Sequence, residues 1–162
     1  MEIRAARPGD WAAIWPFFRQ IVAAGETYAY DPELTSGEAE ARWMQSPPGR
    51  TTVAVDAGGT VLGTASMYAN REGNGAHVAS ASFMVDPAGS GRGVGRALGE
   101  DMIEWARSTG FRSIQFNAVV ESNARAVALW KSLGFRIIGT LPEGFRHPTE
   151  GYVGLHIMYR PL

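Results

Sequence analysis

The chain has 162 residues and no cysteine. That absence excludes disulfides, thiolate zinc sites, iron–sulfur clusters and a cysteinyl-enzyme intermediate together. An excess of one charge is also missing, because 15 Lys and Arg stand against 16 Asp and Glu for a formal net charge of −1. Gripping nucleic acid by neutralising phosphates takes a basic surplus, so nucleic acid is not an expected partner. No apolar run approaches the roughly 20 residues of a membrane-spanning helix. The longest, Trp11 to Phe18, is far shorter, and Met1-Glu2-Ile3-Arg4 lacks the pattern of a secretory signal. The expectation is a cytoplasmic, unprocessed chain that does not meet a membrane. The three histidines, His77, His147 and His156, are scattered and form no H-x-x-x-H pair, so no metal is expected. No G-x-S-x-G segment is present to serve as a nucleophile elbow.

What is present is the composition of one globular domain over residues 1–162, with 45% hydrophobic residues and 20 glycines spread over many turns. Glu2 to Ala5 reads as a short strand. Asp10, after Pro8-Gly9, is placed to cap a helix whose apolar residues Trp11, Ile14, Trp15, Phe18, Ile21 and Val22 recur at helical spacing. Pro16 lies inside that helix, so it either kinks there or begins near Trp15. Residues 25–32 have no clean period and read as a loop. Thr35 or Ser36 can then cap a second helix that ends before Pro47-Pro48-Gly49. An antiparallel meander follows: Thr51 to Val55, Val61 to Tyr68, a polar turn at Asn70 to Gly75, and His77 to Val85. Next come a helix with Val94, Leu98, Met102, Trp105 and Ala106 on one face, closed by Gly110, a strand from Ser113 to Val119, and a helix from Asn123 to Leu133. Strands Phe135 to Thr140 and Tyr152 to Arg160 end the chain. The fold class is mixed α/β with a mostly antiparallel sheet.

The most informative stretch is Val85-Asp86-Pro87-Ala88-Gly89-Ser90-Gly91-Arg92-Gly93-Val94-Gly95-Arg96, between a strand and a helix. Glycines let the backbone turn several N–H groups toward one anion, and a helix N-terminus adds its positive dipole end. The P-loop template fails because the chain has no Gly-Lys pair, and the dinucleotide template G-x-G-x-x-G fails because its last glycine is missing. A third template, Q/R-x-x-G-x-G/A, is met at Gly93 and Gly95 and missed at its first position, Ser90. There the sequence resembles the GNAT acetyltransferase superfamily. A second match, Asn123-Ala124-Arg125-Ala126-Val127-Ala128-Leu129-Trp130-Lys131-Ser132-Leu133-Gly134-Phe135, is similar to that superfamily's N-x-x-A-x-x-L-Y-x-x-x-G-F helix.

The resemblance implies a sheet with one splayed strand pair that binds acetyl-CoA. The N–H groups of Gly91, Arg92, Gly93, Val94, Gly95 and Arg96 would cradle the pyrophosphate, with Arg92 and Arg96 meeting phosphates. The backbone of Met84 and Val85 would lie along the pantetheine, and Asn123 would hydrogen-bond that arm besides capping its helix. Trp130 either packs in the core or stands near the thioester. Many members have there a Tyr that protonates the leaving thiolate; an indole does not serve as that proton source.

Asn117, on the strand face opposite Ile114 and Phe116, and Asn70, at the turn entering the meander's last strand, each read as solvated or as ligand contacts. Together with Val120-Glu121-Ser122-Asn123 and Phe145-Arg146-His147-Pro148 they resemble a subgroup that includes the azetidine-2-carboxylate acetyltransferases. The activity implied is transfer of an acetyl group to a small-molecule amine, an amino acid or a cyclic secondary amine, by direct attack in a ternary complex, with Asn70 and Asn117 positioning the amine. A phosphinothricin-type acetyltransferase is the runner-up enzyme, and a non-catalytic acyl-CoA sensor is the alternative from another class. Assembly as a homodimer stays open.

Overall fold

The computed structural model describes residues 1–162. The elements are β1 (Glu2–Ala5), α1 (Trp11–Ala24), α2 (Ser36–Trp43), β2 (Arg50–Val55), β3 (Val61–Ala69), β4 (Val78–Val85), α3 (Val94–Ser108), β5 (Ser113–Val120), α4 (Ala124–Ser132), β6 (Arg136–His147) and β7 (Gly151–Pro161). All seven strands join one sheet in the order β1-β2-β3-β4-β5-β7-β6. Every neighbouring pair is antiparallel except β4 and β5, which run parallel.

Hydrophobic side chains sort to the two faces of the sheet. Leu98, Met102, Ile114, Phe116, Trp130 and Met158 belong to the cluster under α3 and α4. Ile14, Phe18, Trp43, Val53 and Met84 belong to the cluster under α1 and α2. The second face is pinned by a polar contact in the core, where the Trp43 indole N–H donates to Thr64 Oγ1 (3.1 Å) and that hydroxyl donates to the Thr52 carbonyl (2.8 Å). Burying both without these partners would cost on the order of 1–3 kcal/mol per group.

The helix starts follow local chemistry. Thr35 caps α2 in a reciprocal box, its hydroxyl accepting from the Glu38 N–H while the Glu38 carboxylate accepts from the Thr35 N–H at 2.9 Å. Asp10 behaves differently from the sequence expectation. Its carboxylate makes no bond to the first turn of α1; it accepts two bonds from the Arg4 guanidinium (2.7 and 2.8 Å) and one from the Arg7 N–H. The ion pair on β1 outcompetes the cap because both Arg4 donors match one carboxylate. α1 begins at Trp11 and runs through Pro16, which sits on the exposed side, so the carbonyl it leaves unpaired lies toward solvent.

The largest departure is β6, which continues well past Thr140 to His147. Pro142 and Gly144 read as strand breakers, yet β6 is an edge strand, where a missing N–H on the outer side costs nothing. The irregularity is absorbed by a register shift between Leu141 and Phe145, with Glu143 at φ 53°.

The feature that positions the site is the β4–β5 junction. Only Val78↔Ser113 and Ala79↔Ile114 are in register; beyond them the strands part. A register shift between Phe116 and Val119 bends β5 along β7. Phe83, Phe116 and Trp130 fill the base of the resulting gap, with Trp130 at ring-centroid distances of 4.7 Å from Phe83 and 4.8 Å from Phe116. The sequence expectation of a splayed pair is met at this place.

Candidate active site

The gap between β4 and β5 opens into a cleft of about 720 Å³. It is lined by Phe83, Met84 and Val85 of β4, by Trp130 of α4, by Tyr28 and Tyr30 of the α1–α2 segment and by Asn117 of β5.

One edge of this cleft is backbone that no neighbouring strand pairs. Asp86 N–H donates to Leu62 O (2.9 Å) and Asn70 N–H to Val78 O (2.8 Å), so at both ends of β4 the even-numbered residues face β3. In an antiparallel ladder the direction alternates residue by residue. Ala81, Phe83 and Val85 therefore turn their N–H and C=O groups toward the departed β5. Met84, expected to offer its backbone, turns it into the β3 ladder opposite Thr64, and its side chain is buried in the α1/α2 core. Phe83 stands on the free edge in its place. The parity of the strand carries this signal: two consecutive residues cannot both face one edge.

The glycine loop meets the same edge. Gly91 (φ 85°) and Gly93 (φ 78°) take left-handed backbone conformations, and a Cβ added at either would meet nothing within 4 Å, so the concave side is open. The first intrahelical bond here comes from the Ala97 N–H to Gly93 O. The N–H groups of Val94, Gly95 and Arg96 thus precede the ladder of a 15-residue helix and can point at an anion. Gly95 has a further use: a Cβ there would stand 3.3 Å from Leu129 Cδ2, and at Gly99 one would stand 2.7 Å from Leu133 Cδ1, so both let α3 approach α4 closely.

Arg96 does not face the loop. Its guanidinium donates to Ser132 Oγ (2.7 Å) and lies 3.7 Å from Glu100. The cation held beside the loop is Arg125, which the sequence reading did not single out; it donates to Ser90 Oγ at 2.7 Å. Arg92 is exposed. Asn123 caps α4, accepting from the Ala126 N–H at 3.2 Å, and also lines the cleft. Trp130 is buried to 7% exposure among Phe83, Phe116 and Phe135 while one side of it lines the cleft. Packing and proximity to the site coexist there.

Asn70 and Asn117, 47 residues apart, are brought together: Asn117 Nδ2 donates to Asn70 Oδ1 at 2.6 Å, and Asn117 Oδ1 accepts from Gln115 Nε2 at 2.9 Å. Asn117 lines the cleft, whereas Asn70, its hydrogen-bond partner, is not among the lining residues. Opposite stands Tyr28, in the loop where the sequence has no period. Its hydroxyl accepts from the Phe83 N–H (2.9 Å) and donates to the Phe83 carbonyl (2.7 Å). Burial raises the Tyr28 phenol well above its ordinary pKa, with Tyr30 adding to the shift, and burial also raises Tyr30. Among the residues that line the cleft, Glu26 alone has an acidic side chain, and no Lys, Arg or His lines it.

A free strand edge that runs into an anion-ready helix start fits a ligand with amides at one end and phosphates at the other. Residues 13–135 match the Acetyltransferase (GNAT) family. The chain belongs to that family. It is an acetyl-CoA-dependent acyltransferase, and its mixed sheet is the fold of GNAT structures. A GCN5-related N-acetyltransferase from Kribbella flavida is 69% identical, covers 99% of this chain and 97% of its own, and superposes with a TM-score of 0.98. A Salmonella typhimurium acetyltransferase, yncA, whose structure holds acetyl-CoA, is 27% identical with a TM-score of 0.86 over 99% of this chain and 93% of that one. The Escherichia coli L-amino acid N-acyltransferase MnaT is 29% identical over 148 residues, 88% of this chain and 84% of the relative. No helix is long and apolar enough to cross a membrane.

Proposed function

We propose that this GNAT enzyme moves an acetyl group from acetyl-CoA to the amine of a small molecule, an amino acid or a cyclic secondary amine, by direct attack in a ternary complex. The observation that carries the reading is the pairing, across one cleft, of β4's free edge with the Gln115–Asn117–Asn70 amide chain. Acetyl-CoA supplies an activated acyl group on a thiol. Phe83 and Val85 offer the edge to its pantetheine amides, as a strand would be added to a sheet. The N–H groups at the start of α3, with Arg92 and Arg125 nearby, meet its phosphates.

An alkylammonium with a pKa near about 10 is mostly protonated at neutral pH, so the amine must lose a proton before attack. Asparagine cannot take it; Asn117 aligns the amine, held by Gln115 and Asn70, and water carries the proton away. Alignment of two bound reactants is itself a large contribution, on the order of 7 kcal/mol or more of a barrier. A thiol with a pKa near about 8.5 leaves as thiolate. Trp130 is therefore not needed as an acid.

With no cationic side chain on the cleft, an acceptor carboxylate would be held by amides rather than by a guanidinium. That favours a compact cyclic amino acid or a neutral amine over a long anionic one, while likeness to MnaT supports amino acids as a class. The test is free-thiol release from acetyl-CoA by the purified protein across amino acids, cyclic secondary amines and peptides. Amine-stimulated release is expected, highest with a small amine. Tight acetyl-CoA binding without release in any case would contradict transfer and favour a sensor.

A further inference from the structure

Tyr28 closes both backbone groups of Phe83 with one hydroxyl, at 2.9 Å and 2.7 Å. A neighbouring strand would ordinarily satisfy these groups; here a side chain from the α1–α2 loop stands in for the absent β5. The ring is held in place, stacked on Tyr30 at 5.4 Å and edge-on to Trp43 at 6.2 Å. Phe83 occupies the free edge with its ring 4.7 Å from that of Trp130, and both residues line the cleft. A thioester carbonyl that takes the Phe83 N–H displaces the hydroxyl from that donor, and a hydroxyl that swings off the strand leaves the Phe83 carbonyl as well, so its O–H is free to donate to the incoming oxygen.

We propose that Tyr28 is a catalytic residue of the acyl transfer: displaced from Phe83 as the thioester seats, its O–H donates to the thioester oxygen alongside the Phe83 N–H. The proposal rests on the transfer reading above. In the step, the neutral amine nitrogen attacks the acyl carbon, the C–N bond forms, and the carbonyl π pair moves onto oxygen, where both donors meet it. The pair then re-forms the C=O bond, the C–S bond breaks, the thiolate departs with its electrons, and water takes the proton from nitrogen. Tyr28 gives a hydrogen bond throughout and transfers no proton, which suits a phenol that burial holds firmly protonated.

Tyr28→Phe keeps the ring and its stacking and removes only the hydroxyl. Acetyl-CoA binding by calorimetry should tighten about tenfold, because a competitor for the Phe83 edge is gone and that edge waits unpaired. Turnover with the best amine should fall about a hundredfold, as expected when one oxyanion donor is lost. The carbonyl resonance of bound acetyl-CoA, ¹³C-labelled at C1, should lie downfield of free acetyl-CoA in the wild type and move back upfield in the variant. Unchanged affinity, turnover and carbonyl shift in the folded variant would overturn the proposal. A merely structural role would weaken binding and turnover together and leave the carbonyl shift alone, which also overturns it. If the wild type releases no thiol with any amine tested, the transfer reading is what fails, and the affinity and the carbonyl shift still decide the place of Tyr28.

Discussion

The two walls of the cleft are built from different material. On the α3/α4 side the groups aimed at a ligand are backbone: the alternate N–H and C=O groups of β4 and the first N–H groups of α3. On the α1/α2 side they are side chains: Tyr28, Tyr30, Tyr68 and Asn117, the last held by Gln115 and Asn70. Backbone groups are the same in every sequence that adopts the turn, so the first wall suits a donor shared by a whole family. Side chains can change without disturbing the sheet, so the second wall suits an acceptor particular to this enzyme. On that reading, substitutions on the two sides should separate donor affinity from amine turnover.

The largest separation is expected at Asn117. Asn117→Leu keeps the branched four-atom shape of the side chain while removing its amide, which touches both Gln115 and Asn70. Steady-state kinetics should show kcat/KM for the best amine falling about a hundredfold, equivalent to about 2.7 kcal/mol. The acetyl-CoA dissociation constant should stay within about threefold. An unchanged kcat/KM would return Asn117 to a solvated surface residue.

Trp130 packs on Phe83 of β4 and Phe116 of β5, where the two strands part. Trp130→Ala removes the ring packed on Phe83 and Phe116, and should cost about 3–5 kcal/mol in denaturant unfolding. Trp130→Phe retains an aromatic ring, and its turnover should remain within about tenfold of the wild type. A thousandfold loss in the folded Phe variant would make the indole part of the chemistry.

These sites also mark where the sequence is legible. The glycine loop and the cap of α4 could be read because each is a local pattern, glycines ahead of a helical run and an Asn at its start, whereas the splayed pair was reached only through the family resemblance that those motifs carry. Tyr28 was not legible, since a loop without a period carries no signal for a contact 55 residues away. Met84 and Arg96 belong to the expected local motifs, but a ladder bond engages the Met84 backbone and the Ser132 hydroxyl engages the Arg96 guanidinium, and neither competitor is visible in a local pattern. The extension of β6 through Pro142 was hidden because edge position, which excuses a proline, is a property of the whole sheet.

The smallest effect lies outside the cleft, at Asp10. The Arg4 guanidinium, more than the Arg7 N–H, holds its carboxyl below the ordinary 3.8. A lowered folded pKa contributes stability that is complete above the unfolded value and lost as pH falls through the folded one. Asp10→Asn should therefore cost about 1 kcal/mol at neutral pH, with the gap to wild type closing as the buffer is taken down through and below pH 3.8. Urea unfolding at both ends of that range checks it, and acetyl-CoA binding should not change.

The parity of β4 decides which of its amides acetyl-CoA can reach, and residue-resolved amide hydrogen exchange, followed by NMR with and without acetyl-CoA, tests that parity directly. The Val85 amide, on the free edge, should exchange fast in the unliganded protein and become strongly protected when acetyl-CoA is added. The Met84 amide, in the β3 ladder, should be protected in both states. Protection gained at Met84 rather than Val85, or at neither, would contradict the free edge as the donor's binding surface.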